Sequence, residues 1–135
     1  MLIALNAKIK TTVRDIEAER FFTGEGHKTT VLNDDEIVTE IRIPAPNSGT
    51  KQTFTKFALR PTIDFAVVNV ATAITIEDGK VSDARIVVNA VAARPKRATE
   101  VEDALKGKVI CESVAETAAA ALAKGTVPLT HQGRT

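Results

Sequence analysis

The stretch from residue 54 to residue 70 carries the charged side chains whose types and spacing could do chemistry. Lys56 lies in an alternating segment, and its face of the segment also carries Phe54 and Ala58. The aliphatic stem of such a lysine can lie along apolar surface while its ammonium emerges at an edge. We therefore take Lys56 as a candidate functional residue; a lysine that only covers apolar surface is the alternative.

The same stretch contains a charged bend. Arg60 and Asp64 are four residues apart, and Pro61 lies between them. A proline breaks a helix and favours a tight turn, so the two charged side chains can pair. An exposed pair of this kind contributes typically less than about 1 kcal/mol to stability. The bend is therefore either a weak structural clip or the edge of a site.

The other residues that could perform catalysis or bind metal are isolated. His27 and His131 are the only histidines, in a loop and near the C-terminus. They make a poor metal site and support no Ser-His-Asp arrangement. Cys111 is the single cysteine, which excludes an internal disulfide or a cysteine cluster for zinc or iron and sulfur. We assign no catalytic residue and no metal.

Two short motifs do not match the pattern of a phosphate-binding loop or of a calcium-binding loop. Gly24-Glu25-Gly26 does not complete a Gly-x-Gly-x-x-Gly pattern, because Thr29 occupies the third glycine position. Asp34-Asp35-Glu36 has no EF-hand loop around it, so we interpret these carboxylates as a solvated turn.

Composition narrows the class of protein. The chain has 135 residues, of which 44% are hydrophobic, enough for one ordinary domain or a small domain with part of another. Eighteen Lys and Arg against 17 Asp and Glu give no basic stripe, so we expect no nucleic acid partner. No apolar run approaches the roughly 20 residues that span a bilayer. We expect a soluble, cytoplasmic protein that does not bind membranes.

The first half of the chain favours strands. Residues 2–5 are an apolar segment entering a strand, and residues 19–22 form a short helical turn that carries two aromatic side chains into a core. Residues 37–43 alternate between an isoleucine-rich face and a charged face up to Pro44. Val38 is the apolar residue on the charged face and needs cover from a loop or from a planar ligand. Residues 45–50 form a linker, the best domain boundary.

The second half predicts a hairpin followed by two helices. Asp78-Gly79 between two alternating runs is typical of a two-residue turn with positive φ. Capping boxes, Thr99 with Glu102 and Ser113 with Glu116, predict helices that end at Gly107 and Gly125. Their predicted buried residues are Val101, Leu105, Val114, Ala118 and Leu122. Strands followed by helices favour an α+β fold, an antiparallel sheet with helices packed on one face.

Several short motifs, in order, resemble the molybdenum hydroxylase family. FFTG (residues 21–24), KTTVL (28–32) and DEIVTEIRIP (35–44) are similar to the end of the FAD-binding domain. KFALR (56–60), DFAVV (64–68), DARI (83–86), VAARP (91–95) and LKGK (105–108) are similar to the C-terminal domain that follows. The resemblance is to the flavin-carrying medium subunit of carbon monoxide dehydrogenase, xanthine dehydrogenase and aldehyde oxidase. It implies a remnant of the FAD-binding domain at 1–46 and a carbon monoxide dehydrogenase flavoprotein C-terminal-like domain at 51–135.

The resemblance also implies a function and a site. FAD in this subunit passes electrons from iron-sulfur clusters to an external acceptor, so the implied partners are an iron-sulfur subunit and a molybdopterin subunit. Ile37 and Val38 would lie near the isoalloxazine, and Lys56 would approach the same ring. Arg60 and Asp64 would belong to the loop that gates acceptor access. A cation near the flavin stabilises its reduced, anionic form.

The chain departs from the family in three places. The glycine-rich loops that hold the FAD pyrophosphate lie upstream of the position that matches Met1, and residues 130–135 differ from the family continuation. We therefore expect both ends to be truncated. Arg60-Pro61 lacks the double arginine of relatives, which leaves the acceptor type open. We therefore expect weak or absent FAD binding by this chain, inactivity alone, and a homo-oligomer formed through exposed edges. A non-enzymatic α+β interaction module is the alternative.

Overall fold

Three antiparallel sheets and three helices make up the described part of the chain. The computed structural model describes residues 1–61 and 63–124. The elements are β1 (Lys8–Thr11), β2 (Asp15–Glu17), α1 (Ala18–Phe21), β3 (Phe22–Glu25), β4 (Lys28–Thr30), β5 (Val38–Arg42), β6 (Thr50–Phe57), β7 (Val68–Glu77), β8 (Lys80–Asn89), β9 (Lys96–Arg97), α2 (Thr99–Leu105) and α3 (Glu112–Lys124). The strand orders are β2-β1-β5, β3-β4 and β6-β7-β8-β9. The predicted α+β class is confirmed.

The central hairpin β7–β8 forms as the sequence predicts. Asp78 and Gly79 connect the two strands, and their φ angles are 50° and 75°. Positive φ at both turn positions twists the loop in the same sense as the strands, which is why Asp-Gly is favoured there. The predicted hairpin is therefore confirmed, and it supplies the two inner strands of the four-stranded sheet.

The helices pack on one face of this sheet, as expected. α2 lies against β8, and α3 lies against α2. The residues predicted to be buried in these helices all join the cluster, where Val101, Leu105 and Ala118 are buried and Val114 and Leu122 are partly buried. The sheet contributes Val70, Ile74, Val81, Ala84 and Ile86 to the same cluster. The helical spacing thus identified the helical wall of this core.

The predicted capping box of α2 is wrong, although the helix exists. Ala98 is the N-cap residue, no side chain caps the helix, and Thr99 is its first residue. Glu102 turns toward the sheet, where its Oε1 accepts hydrogen bonds from the Ile86 N–H (2.8 Å) and from Nε of Arg97 (3.1 Å). The carboxylate thus pairs with a buried backbone N–H and with an arginine. Leaving these groups unpaired would cost more than leaving the helix N-terminus without a side-chain cap.

The second capping box is also wrong. α3 begins at Glu112, so Ser113 is inside the helix, and its hydroxyl lies 3.2 Å from Sγ of Cys111. The predicted end at Gly125 lies outside the described residues. Cys111 is exposed and immediately precedes the helix.

The other face of the sheet is covered by the N-terminal segment, which the sequence did not reveal. Ala71 of β7 and Val87 of β8 are buried in a second cluster. Its other buried members all come from the first 21 residues: Ile3, Ala4, Ala7, Ile9, Ile16, Ala18 and Phe21. The inner strands are therefore covered on both faces.

The N-terminal segment itself follows the predictions in part. Residues 2–6 form turns rather than the start of a strand, and β1 begins at Lys8. The short helical turn is α1, and Phe21 and Phe22 pack edge to face with ring centroids 5.2 Å apart. The 24–26 loop is part of the β3–β4 hairpin. No helix in the described ranges has the length and hydropathy needed to cross a membrane.

Ala90, just after β8, provides a test of local backbone strain. Its φ is 70°, in the left-handed region. This conformation costs an alanine about 1–2 kcal/mol relative to the right-handed one. Ala90→Gly should therefore raise the free energy of unfolding by about 0.5–1 kcal/mol, after the entropy that glycine adds to the unfolded chain. Urea denaturation measures the difference. Ala92→Gly, in the same exposed segment but without a positive φ, is the matched control and should lower the free energy of unfolding. Equal effects of the two changes would show that the backbone of Ala90 is not strained.

Candidate functional site

Lys56 lies near the end of β6, on the sheet face that the N-terminal segment covers. In the β6–β7 register, Phe54 is opposite Ala71 and Lys56 is opposite Asn69. Opposed residues in an antiparallel pair point to the same side, and Ala71 is buried against the N-terminal segment. Lys56 therefore extends from the same face, one step beyond the covered part. Its side chain and that of Phe54 are exposed in the chain.

Lys56 is also tied to the charged bend. Its Nζ donates a hydrogen bond to the backbone carbonyl of Asp64 at 2.5 Å. An ammonium group has three donors, so this contact leaves two of them for another group. The lysine thus connects the end of β6 to the bend instead of extending alone into solvent.

Asp64 organises the bend. Its carboxylate accepts hydrogen bonds from the backbone N–H of Arg60 (3.2 Å) and of Phe65 (2.9 Å), and the Arg60 guanidinium approaches it at 3.4 Å. The predicted pair is therefore confirmed. The Asp64 side chain is only 16% exposed, against 72% for Arg60. The Arg60 guanidinium, followed by these backbone donors and the charge of Lys56, holds the pKa of Asp64 below its usual value.

Large apolar side chains surround this network without being buried. Leu59, Ile63 and Phe65 on the bend are almost fully exposed, and Phe57 at the end of β6 is more than half exposed. A charged network that fixes a loop while the loop presents apolar side chains to solvent is typical of a surface that contacts something else.

Ile37 and Val38 lie in the other part of the structure. β5 pairs with β1, and the Ile37 carbonyl accepts from the Thr12 N–H at 2.9 Å. The register shifts beside Val38, which is opposite Thr11, so the predicted strict alternation does not extend through Thr39. Val38 is 37% exposed and Ile37 is 66% exposed. Among the described residues, no hydrogen bond or ion pair joins either one to Lys56, Arg60 or Asp64.

Glu36 corrects the interpretation of the acidic triplet as a solvated turn. Asp34 and Asp35 are exposed, but the Glu36 side chain has no exposed surface. Its carboxylate accepts from Nε of Arg14 at 3.0 Å and from the hydroxyl of Thr11 at 2.6 Å. The Arg14 guanidinium is the main cause, with Thr11 and a backbone N–H, of a Glu36 pKa of about 2.

Glu36 fixes the turn that leads into β5. The Asn33 N–H donates to Glu36 Oε2 at 3.0 Å, and Arg14 also donates to the Val31 carbonyl at 2.7 Å. The only hint in the sequence was the apolar residue that follows the triplet. A carboxylate before a buried strand and a carboxylate in a solvated turn have the same local pattern.

The fold and this geometry define a class of protein. The described residues combine an α+β fold with an open sheet edge at which a cation, a charged loop and exposed apolar side chains meet. This arrangement leaves both charge and apolar surface accessible at one end of the sheet.

Comparison with known proteins identifies the family. Residues 52–135 match the CO dehydrogenase flavoprotein C-terminal domain. The chain belongs to this family, and it corresponds to the C-terminal portion of the FAD-binding medium subunit of molybdenum hydroxylases, as the sequence indicated.

Individual relatives agree with this assignment. The nicotine 6-hydroxylase medium subunit of Paenarthrobacter nicotinovorans is 34% identical over 92% of this chain and 44% of its own length. The carbon monoxide dehydrogenase of Hydrogenophaga pseudoflava is 30% identical, with a TM-score of 0.84 over 96% of this chain and 46% of that chain. Quinoline 2-oxidoreductase of Pseudomonas putida 86 is 31% identical, with a TM-score of 0.81 over 97% and 46%. The chain thus spans less than half the length of these relatives.

Proposed function

We propose that this chain forms one wall of the flavin site in the medium subunit of a molybdenum hydroxylase, in which FAD passes electrons from iron-sulfur clusters to an external acceptor. The observation that carries the proposal is the position of Lys56. It extends from the sheet face that packs on the N-terminal segment, and its Nζ is hydrogen-bonded to a loop with exposed apolar side chains. A planar ring that contacts Lys56 would therefore also lie beside this loop.

The residues present fit a flavin in charge and polarity. When bound, FAD supplies a ring system that accepts electrons and releases them to an acceptor. Lys56 would place positive charge beside that ring and stabilise its anionic, reduced form. Ile37 and Val38 would supply apolar cover for the ring. Both isoleucine and valine expose surface that a planar ligand can bury.

The charged bend would control access of the acceptor. Asp64 fixes the path of the bend through the guanidinium and N–H of Arg60. Its carbonyl also bonds to Lys56, so the cation beside the ring and the loop are positioned together. A displacement of one therefore changes the position of the other.

We further propose that the chain comprises parts of two domains and that its affinity for FAD is low. Residues 1–46 would belong to the FAD-binding domain and residues 51–135 to the C-terminal domain; the family match beginning at residue 52 supports this boundary. The partners would be an iron-sulfur subunit and a molybdopterin subunit. Since the chain spans less than half the length of its relatives, we also propose that it binds FAD weakly or not at all by itself.

A chimera tests the proposal directly. The matched part of the nicotine 6-hydroxylase medium subunit is replaced by this chain, and the purified subunit is assayed for flavin absorbance. We expect the chimera to retain FAD. Lys56→Ala should then change the rate of flavin reoxidation several-fold at unchanged flavin content, because the cation beside the ring is lost. Lys51→Ala, an exposed lysine at the other end of β6, is the matched control and should change nothing.

Two results would count against the proposal. A chimera that folds and assembles but contains no flavin would show that this wall does not fit FAD. Reoxidation rates that are the same for Lys56→Ala and its control, with every acceptor tried, would remove Lys56 from the site.

A further inference from the structure

A buried carboxylate, that of Glu36, directly precedes the part of the proposed flavin wall that β5 supplies. The side chain has no exposed surface. Its Oε1 accepts from the Thr11 hydroxyl (2.6 Å) and from Nε of Arg14 (3.0 Å). Its Oε2 accepts from Nη2 of Arg14 (3.1 Å) and from the Asn33 N–H (3.0 Å). These hydrogen bonds use the acceptor capacity of both oxygens, so the carboxylate has one defined position.

The partners of Glu36 come from two segments that are distant in sequence. Thr11 and Arg14 belong to the turn between β1 and β2, whereas Asn33 belongs to the turn that leads into β5. Arg14 also reaches along the second segment, where its Nη2 donates to the Val31 carbonyl at 2.7 Å. A guanidinium and a carboxylate that pair through two parallel hydrogen bonds have a specific geometry. The pair therefore holds the turn before β5 against the β1–β2 turn.

Ile37 is attached to the same β1–β2 turn through its backbone. Its carbonyl accepts from the Thr12 N–H at 2.9 Å, and its own N–H donates to the Thr12 hydroxyl at 3.3 Å. Both polar backbone groups of Ile37 are thus paired, while its side chain is 66% exposed. A side chain on a backbone that is fixed in this way is held in a defined direction before any ligand arrives.

The register shift in the β1–β5 pair determines the direction of Val38. In β1, Lys10 is opposite Glu40. The next residue, Thr11, is opposite Val38, so Thr39 is an extra residue in β5. Opposed residues point to the same side of a sheet and adjacent residues of a strand to opposite sides. Val38 therefore lies on the side of Thr11 rather than on the charged side that the sequence predicted, and such bulges often redirect a side chain beside a functional site.

We propose that Glu36 is a positioning residue for the flavin: by holding the β1–β2 turn, it sets the direction of Ile37 and Val38 toward the ring. Thr11 is the link to Val38, because it binds Glu36 through its hydroxyl and opposes Val38 in the strand pair. The Glu36 carboxylate is itself covered, so it would act without touching the ring. This inference rests on the proposed function and extends it to side chains outside the flavin wall.

The chimera with the nicotine 6-hydroxylase medium subunit tests this role through its bound flavin. Glu36→Gln keeps the size of the side chain but removes the charge that orders Arg14. We expect the visible circular dichroism per bound flavin to change. We also expect a several-fold change in the reoxidation rate, because a small displacement beside a reacting group alters its rate. In the chain without flavin, the amides of residues 33–38 should exchange with deuterium several-fold faster than in the wild type.

Two controls separate positioning from stability. Glu102→Gln removes a buried carboxylate that pairs with an arginine, on the sheet face opposite the N-terminal segment. It should lower stability and leave the flavin dichroism unchanged. Asp35→Asn removes an exposed carboxylate from the adjacent position and should change neither property. Arg14→Lys, at a half-exposed position, keeps the charge and loses the fork, so it provides a second positioning variant if Glu36→Gln does not fold.

The outcomes distinguish this inference from the proposed function. Wild-type flavin dichroism and reoxidation in both positioning variants, in a chimera whose flavin responds to Lys56→Ala, would overturn the positioning role alone. An equally large change in Glu102→Gln would show that the signal reports stability, and would overturn it as well. A folded, assembled chimera without flavin would contradict the proposed function and the positioning role together, whatever the amide exchange of residues 33–38.

Discussion

Glu102→Ala should lower the free energy of unfolding by about 3 kcal/mol, the largest loss expected from any single change discussed here. The Glu102 carboxylate is 8% exposed and contacts both Nη2 and Nε of Arg97. It also accepts the hydrogen bond of the Ile86 N–H. Alanine would leave the buried Ile86 N–H without its partner and the Arg97 guanidinium with only the more distant Glu19 carboxylate, at 3.5 Å. The desolvation of both groups would then no longer be offset by the Glu102 carboxylate.

Two further variants assign this loss to its causes. Glu102→Gln keeps an oxygen that can accept from the Ile86 N–H but removes the charge opposite Arg97, so its destabilisation should be intermediate. Asp103→Ala, exposed on the same helix, should change stability by less than about 0.5 kcal/mol. Urea denaturation measures all three. A Glu102→Ala chain as stable as Asp103→Ala would disprove the structural role of the carboxylate.

Glu36→Gln should remove a pH-dependent part of the stability. The Glu36 pKa is lowered from 4.5 to about 2, chiefly by the Arg14 guanidinium. A group whose pKa is depressed in the folded chain stabilises it above its ordinary pKa, and that contribution is lost as pH falls through the folded value. The wild type should therefore be more stable than Glu36→Gln above about pH 5, and the two should converge as pH approaches 2.

The acidic triplet supplies its own control for this experiment. Asp35 is exposed, so Asp35→Asn should follow the wild type across the whole pH range. Thermal unfolding at a series of pH values gives the three curves. If Glu36→Gln remained parallel to the wild type between pH 5 and pH 2, the carboxylate would not be held by Arg14 in solution.

The sequence predicted the elements that depend on local pattern. Asp78-Gly79 gave the correct hairpin because its positive φ angles are a property of two adjacent residues. The spacing of Val101 and Leu105 identified the buried face of α2 for the same reason. The pairing of Arg60 with Asp64 was also local, since four residues and a proline separate them.

The features that the sequence missed depend on distant partners. Glu102 resembles a capping residue until β8 and Arg97 are placed beside it. Glu36 resembles a solvent-exposed acid until Arg14, 22 residues away, is folded against it. Burial of Ala71 and Val87 against the first 21 residues has no local signature, because alanine and valine occur on either face of a strand. The role of Ile37, Val38 and Lys56 at a flavin stays a prediction that rests on resemblance.

The β7–β8 hairpin, whose two faces support different clusters, has a consequence for how the chain folds. Its strands are adjacent in sequence, so it can form early from local contacts. Both the helices and the N-terminal segment need that finished surface before they can bury their apolar residues. Neither layer can therefore be retained once the hairpin is lost, and the described chain should melt as a single cooperative unit despite its separate sheets.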